Sequence, residues 1–193
     1  SRLRGKDMNG LKGKVVIVTG AGGGIGKVIA QRLHAEGMKL MVADVVEGAL
    51  SAAAPLEGLG EQHSTQPMVA TFEGREVLFF VSDRPGGSGG MDIWRAELSG
   101  RSASSPTPLG SPVNTIGNET GPFFQSEEGM LYFSSDMLPG LGGYDMYTSQ
   151  WENDRFSDPV NLGFPLNSPA NDLYPSFDTR SGTGLFTSNR KGS

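Results

Sequence analysis

The stretch Thr19-Gly20-Ala21-Gly22-Gly23-Gly24-Ile25-Gly26 concentrates five glycines in eight residues. It directly follows Val15-Val16-Ile17-Val18, a β-branched run that predicts a strand buried on both faces. Ile25, Val28, Ile29 and Leu33, with the small Ala30, then recur at spacings of three and four residues, which predicts a helix capped at Gly37. A glycine turn between strand and helix has a definite use. Gly20 permits the tight turn, Gly24 lets backbone approach a pyrophosphate, and Gly26 allows the helix to pack closely on the strand, while the helix N-terminus offers amide donors and a positive dipole end. Leu40-Met41-Val42-Ala43 predicts a second buried strand ending at Asp44, 18 residues past Gly26. A carboxylate at that reach accepts hydrogen bonds from an adenosine ribose and disfavours a 2′-phosphate, so the expected cofactor is NAD rather than NADP.

The stretch from Leu11-Lys12-Gly13-Lys14-Val15 through the glycine turn to Ala43-Asp44-Val45 resembles the opening of a short-chain dehydrogenase/reductase. The resemblance implies an incomplete Rossmann-like βαβ segment over residues 8–60, with Gly20, Gly24, Ile25, Gly26 and Asp44 as the candidate cofactor contacts and residues 1–7 as an extension or tag remnant, while the residues themselves predict a helical return from Val46 to about Leu56, limited by Pro55. It also implies a Tyr-x-x-x-Lys pair, in which lysine lowers the tyrosine pKa for proton transfer at the substrate hydroxyl. Four positions after Tyr132, Tyr144, Tyr147 and Tyr174 stand Asp136, Thr148, Trp151 and Asp178, and the only lysine beyond Lys39 is Lys191. No catalytic residue is therefore expected, and an oxidoreductase competent on this chain alone is not.

The elements that would position such a turn occupy only the first part of the 193 residues. Residues 1–46 carry 8 Lys+Arg and 3 Asp+Glu, whereas residues 47–193 carry 8 and 18. All 16 aromatics lie from Phe72 onward and all 12 prolines from Pro55 onward, so two unlike pieces are joined near residue 60. The basic residues are single and lack interleaved aromatics, which argues against nucleic acid as a partner. With no cysteine, a disulfide framework, a thiol nucleophile and a Cys-ligated metal are excluded. No apolar run approaches the ~18 residues of a spanning helix.

The acidic piece repeats itself every 53 residues. Leu109-Gly110-Ser111-Pro112-Val113-Asn114 returns as Leu162-Gly163-Phe164-Pro165-Leu166-Asn167, and Asp92-Ile93-Trp94 returns as Asp145-Met146-Tyr147. Leu78-Phe79-Phe80 returns as Leu131-Tyr132-Phe133, and Ser82-Asp83 returns as Ser135-Asp136 and then Ser188-Asn189. Short aromatic runs separated by Ser-Asp turns and Gly-rich loops predict antiparallel strands, about four per repeat, which is the span of one propeller blade. Residues 62–193, notably Phe80-Val81-Ser82-Asp83-Arg84-Pro85-Gly86-Gly87 and Gly89-Gly90-Met91-Asp92-Ile93-Trp94, resemble the β-propeller repeats of TolB-type and OmpA-associated envelope proteins. The expected fold class is therefore mixed: an incomplete Rossmann-like βαβ segment, then mainly antiparallel β over residues 61–193 as a partial propeller of about two to three blades, the last copy truncated. That resemblance implies protein or cell-envelope partners, self-association through open blade edges, and the periplasm or envelope, whereas the first segment implies the cytoplasm. The conflict suggests a recombined, artificial or mispredicted chain.

Asp83 with Asp92, and Asp136 with Asp145, pair carboxylates around glycine loops that could hold Ca²⁺, but Asp at such turns more commonly binds its own loop backbone, so no metal is expected. His34 and His63 stand in no catalytic or metal-ligating constellation. Trp94 and Tyr147 could form a peptide-binding surface, though matching repeat positions favour a packing role. Two readings remain: a non-catalytic propeller-type interaction module carrying a vestigial or fused NAD-binding-like segment, or an NAD-binding oxidoreductase fragment.

Overall fold

The computed structural model describes residues 15–19, 29, 33, 39–43, 58–60, 62–100, 102–178 and 183–191. The chain divides into two compact units, Ser1–Leu56 and Glu57–Ser193. In the first, β1 (Val15–Thr19) and β2 (Lys39–Ala43) pair in parallel, with Val15 opposite Lys39 and Thr19 opposite Ala43. Ile29 and Leu33, one turn apart, are helical. The remainder of the expected βαβ segment, including the helical return over 46–56, lies outside the described residues.

The second unit is antiparallel β throughout its described length. β3 (Thr65–Phe72), β4 (Arg75–Ser82) and β5 (Asp92–Ser99) form a meander, to which β6 (Ser102–Ala103) and β7 (Thr107–Pro108) add on the far side of β5. A second meander of β8 (Glu119–Gln125), β9 (Met130–Ser135) and β10 (Asp145–Glu152) is completed in the same way by β11 (Arg155–Phe156) and β12 (Val160–Asn161). A two-stranded sheet follows, β13 (Asp172–Asp178) with β14 (Thr183–Ser188). The starts of β5, β6 and β7 are each separated from those of β10, β11 and β12 by 53 residues, and β8 from β13 by the same spacing. The three sheets stay open, and no barrel closes among the described residues.

Consecutive sheets are tied edge to edge. The amide of Glu119, opening β8, donates to the Met91 carbonyl at 2.7 Å, and the amide of Asp172, opening β13, donates to the Tyr144 carbonyl at 2.8 Å. Phe72, Phe79 and Phe124 fill the space between the first two sheets, with Phe72 edge-on to Phe124 at 5.1 Å and Phe79 stacked on Phe124 at 5.2 Å. Each such ring contributes roughly 1.5–3 kcal/mol by leaving water. The middle strand reports how completely a sheet is covered: residues 77–82 of β4 are all buried, whereas β14, at the corresponding position of the third sheet, is exposed from Thr183 to Thr187. Among the described residues, no helix is long and apolar enough to cross a membrane.

Candidate functional site

The expected cofactor contacts Gly20, Gly24, Ile25, Gly26 and Asp44 all lie outside the described residues. What the structure gives is the pair of strands leading into them. Because β1 and β2 run parallel and in register, Thr19 and Ala43 end side by side. That arrangement suits a dinucleotide cradle, which opens at the carboxyl ends of parallel strands.

Three of the tyrosines, Tyr132, Tyr144 and Tyr147, are not set up for proton abstraction. A catalytic tyrosine needs its pKa brought down, yet burial pushes those of Tyr132 and Tyr147 up. Tyr144 is pushed up to about 12, by burial first and then by the nearby Asp136 carboxylate. The Tyr147 hydroxyl donates to the carbonyl of Leu138 at 2.9 Å or of Pro139 at 3.1 Å. Lys191 is exposed at the end of the third sheet.

The polar residues of the second unit gather at one end of the sheets, where the β4–β5 and β9–β10 loops and the turns after β7 and β12 come together. The Asp92 carboxylate accepts the amides of Ser88 at 2.9 Å and Gly89 at 3.2 Å, and Asp145 accepts those of Leu141 at 2.7 Å and Gly142 at 2.9 Å. Asp92 and Asp145 thus hold their own loops. Asp136 does not: its two oxygens accept the backbone and side-chain amides of Asn118, both at 2.7 Å, so it ties its loop to the start of β8. Asp83 is exposed. No group of three or more His, Asp or Glu able to hold a metal occurs among the described residues.

Two side-chain devices were not anticipated from residue type alone. Asn114 accepts the Ile93 amide and donates to the Ile93 carbonyl, both at 3.0 Å, and Asn167 does the same with Met146 at 2.8 and 2.9 Å. Each closes the ladder beside the third strand as a further strand would. The second device is a pair of buried carboxyls. Glu119 is fully buried and accepts from the Thr115 amide at 2.8 Å, the Thr115 hydroxyl at 2.7 Å and the Ser135 hydroxyl at 2.8 Å. Burial outweighs these donors, with the Asp92 charge adding to it, and its pKa rises. Asp172, at the matching place, meets Arg190 at 2.6 Å. There, burial pushes upward but the donors Ser188, Arg190 and Ser168 win, and its pKa falls. The signal for both devices was the 53-residue spacing, which sets Asn114 with Asn167 and Glu119 with Asp172.

Trp94 and Tyr147 are buried at 3% and 2% exposure, so they pack rather than present a surface. The apolar side chains left at the loop end are Ile116, Met137, Leu141 and Phe164, at 76%, 53%, 53% and 83% exposure. Ile116 and Met137 neighbour each other across Gly117, whose added Cβ would stand 2.6 Å from Cβ of Met137.

The family model for short chain dehydrogenases matches residues 14–76, 63 of the 193. The match covers β1 and β2, and its last residues fall on the β3–β4 hairpin, where Phe72 faces Arg75 in an antiparallel ladder. No curated protein matches the chain. Among solved structures, the crystal structure of an α-L-arabinofuranosidase from Lactobacillus brevis is similar at a TM-score of 0.43 and 13% identity, over 72% of this chain and 51% of that one. The chain thus spans about half the length of that structure. What stands is a segment similar to short chain dehydrogenases, followed in the chain by an antiparallel β unit.

Proposed function

We propose that the protein is a non-catalytic interaction module of β-propeller type and cell-envelope character, to which a dinucleotide-binding-like segment is joined. The observation that carries this reading is the recurrence of one sheet at a 53-residue spacing, with matching polar side chains making the same structural hydrogen bonds each time. A scaffold that fixes a set of adjacent loops at one end is suited to binding. The partner would meet the loop end, where Ile116, Met137 and Leu141 give apolar contact inside a polar surround.

A second reading has its own support. The parallel β1–β2 pair and the dehydrogenase-like match favour an NAD-binding oxidoreductase fragment, with Gly20, Gly24, Ile25, Gly26 and Asp44 holding the cofactor. Burial raises the pKa values of Tyr132, Tyr144 and Tyr147, which does not suit proton transfer by any of these three, and this reading ranks below the first.

Photo-crosslinking tests the first reading. A photoreactive residue at Leu141, on the loop end, is expected to capture a discrete partner from cell-envelope extract, and one at Glu127, in the opposite β8–β9 turn, is not. Equal labelling from both positions, or none from Leu141, contradicts the loop end as the working face.

A further inference from the structure

We propose that Asp92 and Glu119, buried where the first two sheets meet, hold one proton between them and form a pH-sensitive latch on the turn from Thr115 to Glu119, closed while the proton is kept and loosened when it leaves. The latch rests on side-chain packing and charge, and does not depend on which partner the loop end meets.

Glu119 and Asp92 are fully buried, and they stand on either side of the hydrogen bond from the Glu119 amide to the Met91 carbonyl. Oε1 of Glu119 accepts the Thr115 and Ser135 hydroxyls, and Oε2 accepts the Thr115 amide alone. The Thr115 hydroxyl in turn accepts the Gly117 amide at 3.0 Å. One carboxyl thus closes the turn that carries the exposed Ile116, and its Oε2 keeps room for a proton. On the other side, Oδ2 of Asp92 is taken by its own loop, whereas Oδ1 is buried and meets no hydrogen-bond donor among the described residues. Ionising both groups would set two like charges in one buried site, so the pair is more stable with one proton than with none.

The next pair along the chain shows what neutralises such a site without a proton. Asp145 and Asp172 occupy the matching positions, 53 residues on, and Oδ1 of Asp145 is again buried without a donor. There Arg190 reaches Asp172 at 2.6 Å, its guanidinium also donating to the carbonyls of Pro165 at 2.8 Å and Leu166 at 2.5 Å and lying over the Phe186 ring at 5.3 Å. At the place of Arg190 the first pair has Met137. The amides of Met137 and Arg190 meet the hydroxyls of Ser135 and Ser188, each at 3.2 Å, so the two residues start from the same point, but methionine brings no charge. Arg84, just past β4, is engaged by Ser64 and Ser82 and lies over the Phe80 ring at 4.6 Å. The titratable groups that face Glu119 are Asp92 from β5 and Tyr144 from the β9–β10 loop, with Asp136 bonded to the adjoining Asn118, and each is an acid. The two sites titrate accordingly: Glu119 holds its proton more tightly than an ordinary carboxyl, and Asp172 less tightly. The latch is therefore fully closed below the ordinary carboxylate value, roughly pH 4, and opens as pH rises through the raised one.

Hydrogen exchange of the full chain between about pH 5 and about pH 8, corrected for the intrinsic pH dependence of exchange, tests the latch by mass spectrometry of fragments covering residues 113–120 and 166–173. Protection of 113–120 should fall about tenfold across that range while that of 166–173 stays level. Glu119→Gln, whose amide donates at every pH where the proton did, should remove the fall. So should Met137→Arg, which sets a guanidinium at the place that Arg190 holds in the next sheet. The unaltered chain decides the matter by itself should either variant fail to fold. An equal fall in both fragments, no fall in 113–120, a fall that survives either substitution, or protection restored at about pH 8 by calcium chloride, which would make the occupant a metal ion, would overturn the proposal.

Discussion

At the residue scale, the two buried carboxyls respond to pH in opposite directions. Asp172 has its pKa lowered in the folded state, so its contribution to stability is present above the ordinary carboxylate value, roughly pH 4, and is lost as pH falls through the lowered one. Glu119 has its pKa raised, so the folded protein holds that proton more tightly, and stability declines as pH climbs from the ordinary value to the raised one. Arg190 is one third exposed, which screens its pairing with Asp172. Substituting Arg190→Met should therefore cost only about 1–2 kcal/mol at neutral pH and flatten the acid limb below roughly pH 4. Urea unfolding of both proteins across that range measures it, and parallel curves would show that Asp172 does not depend on Arg190. The repeat spacing made Asn114 and Asn167 visible in the sequence as the same residue at the same place. The stacking of Arg84 and Arg190 was not visible, because Met137 stands between them in the series and the rings they cover are fixed by cross-strand register.

At the element scale, the glycine loops do more than lengthen the repeat. A Cβ at Gly142 would stand 1.8 Å from the Ala170 carbonyl oxygen and 2.5 Å from that of Ser168, both backbone atoms that cannot swing aside. Gly163 has φ +65° with nothing near its missing Cβ. Gly142→Ala should therefore cost about 2–3 kcal/mol through displaced backbone, and Gly163→Ala about 1 kcal/mol through conformation alone. Thermal unfolding of the two variants separates them, and an equal loss would show that the β9–β10 loop is free to move away. Aromatic runs bounded by Ser-Asp and glycine made the strands legible, since a run such as Leu78-Phe79-Phe80 has too few residues for a helix and its flanks stop it. The direction of the Asp136 bonds was not legible. Asp83 and Asp136 look alike in sequence, yet only Asp136 has Asn118 standing across from it.

For the whole molecule, the break in charge and aromatic content near residue 60 and the division into units at Leu56 and Glu57 lie close together in the chain. The reason is physical: a parallel pair draws on β-branched residues and glycine, while stacked antiparallel sheets need large rings on both faces of their middle strands. The mainly antiparallel β character could thus be read from composition and period. How successive sheets sit against one another could not, because the angle between them is set by packing that no local pattern encodes. The central claim, that binding through repeated sheets and not nicotinamide chemistry is what this chain does, meets its most direct test in calorimetric titration of the full chain with NAD beside a Gly24→Asp variant. The account predicts no saturable binding in the micromolar range for either protein. Micromolar binding that Gly24→Asp abolishes would contradict it and move the working site to the glycine turn.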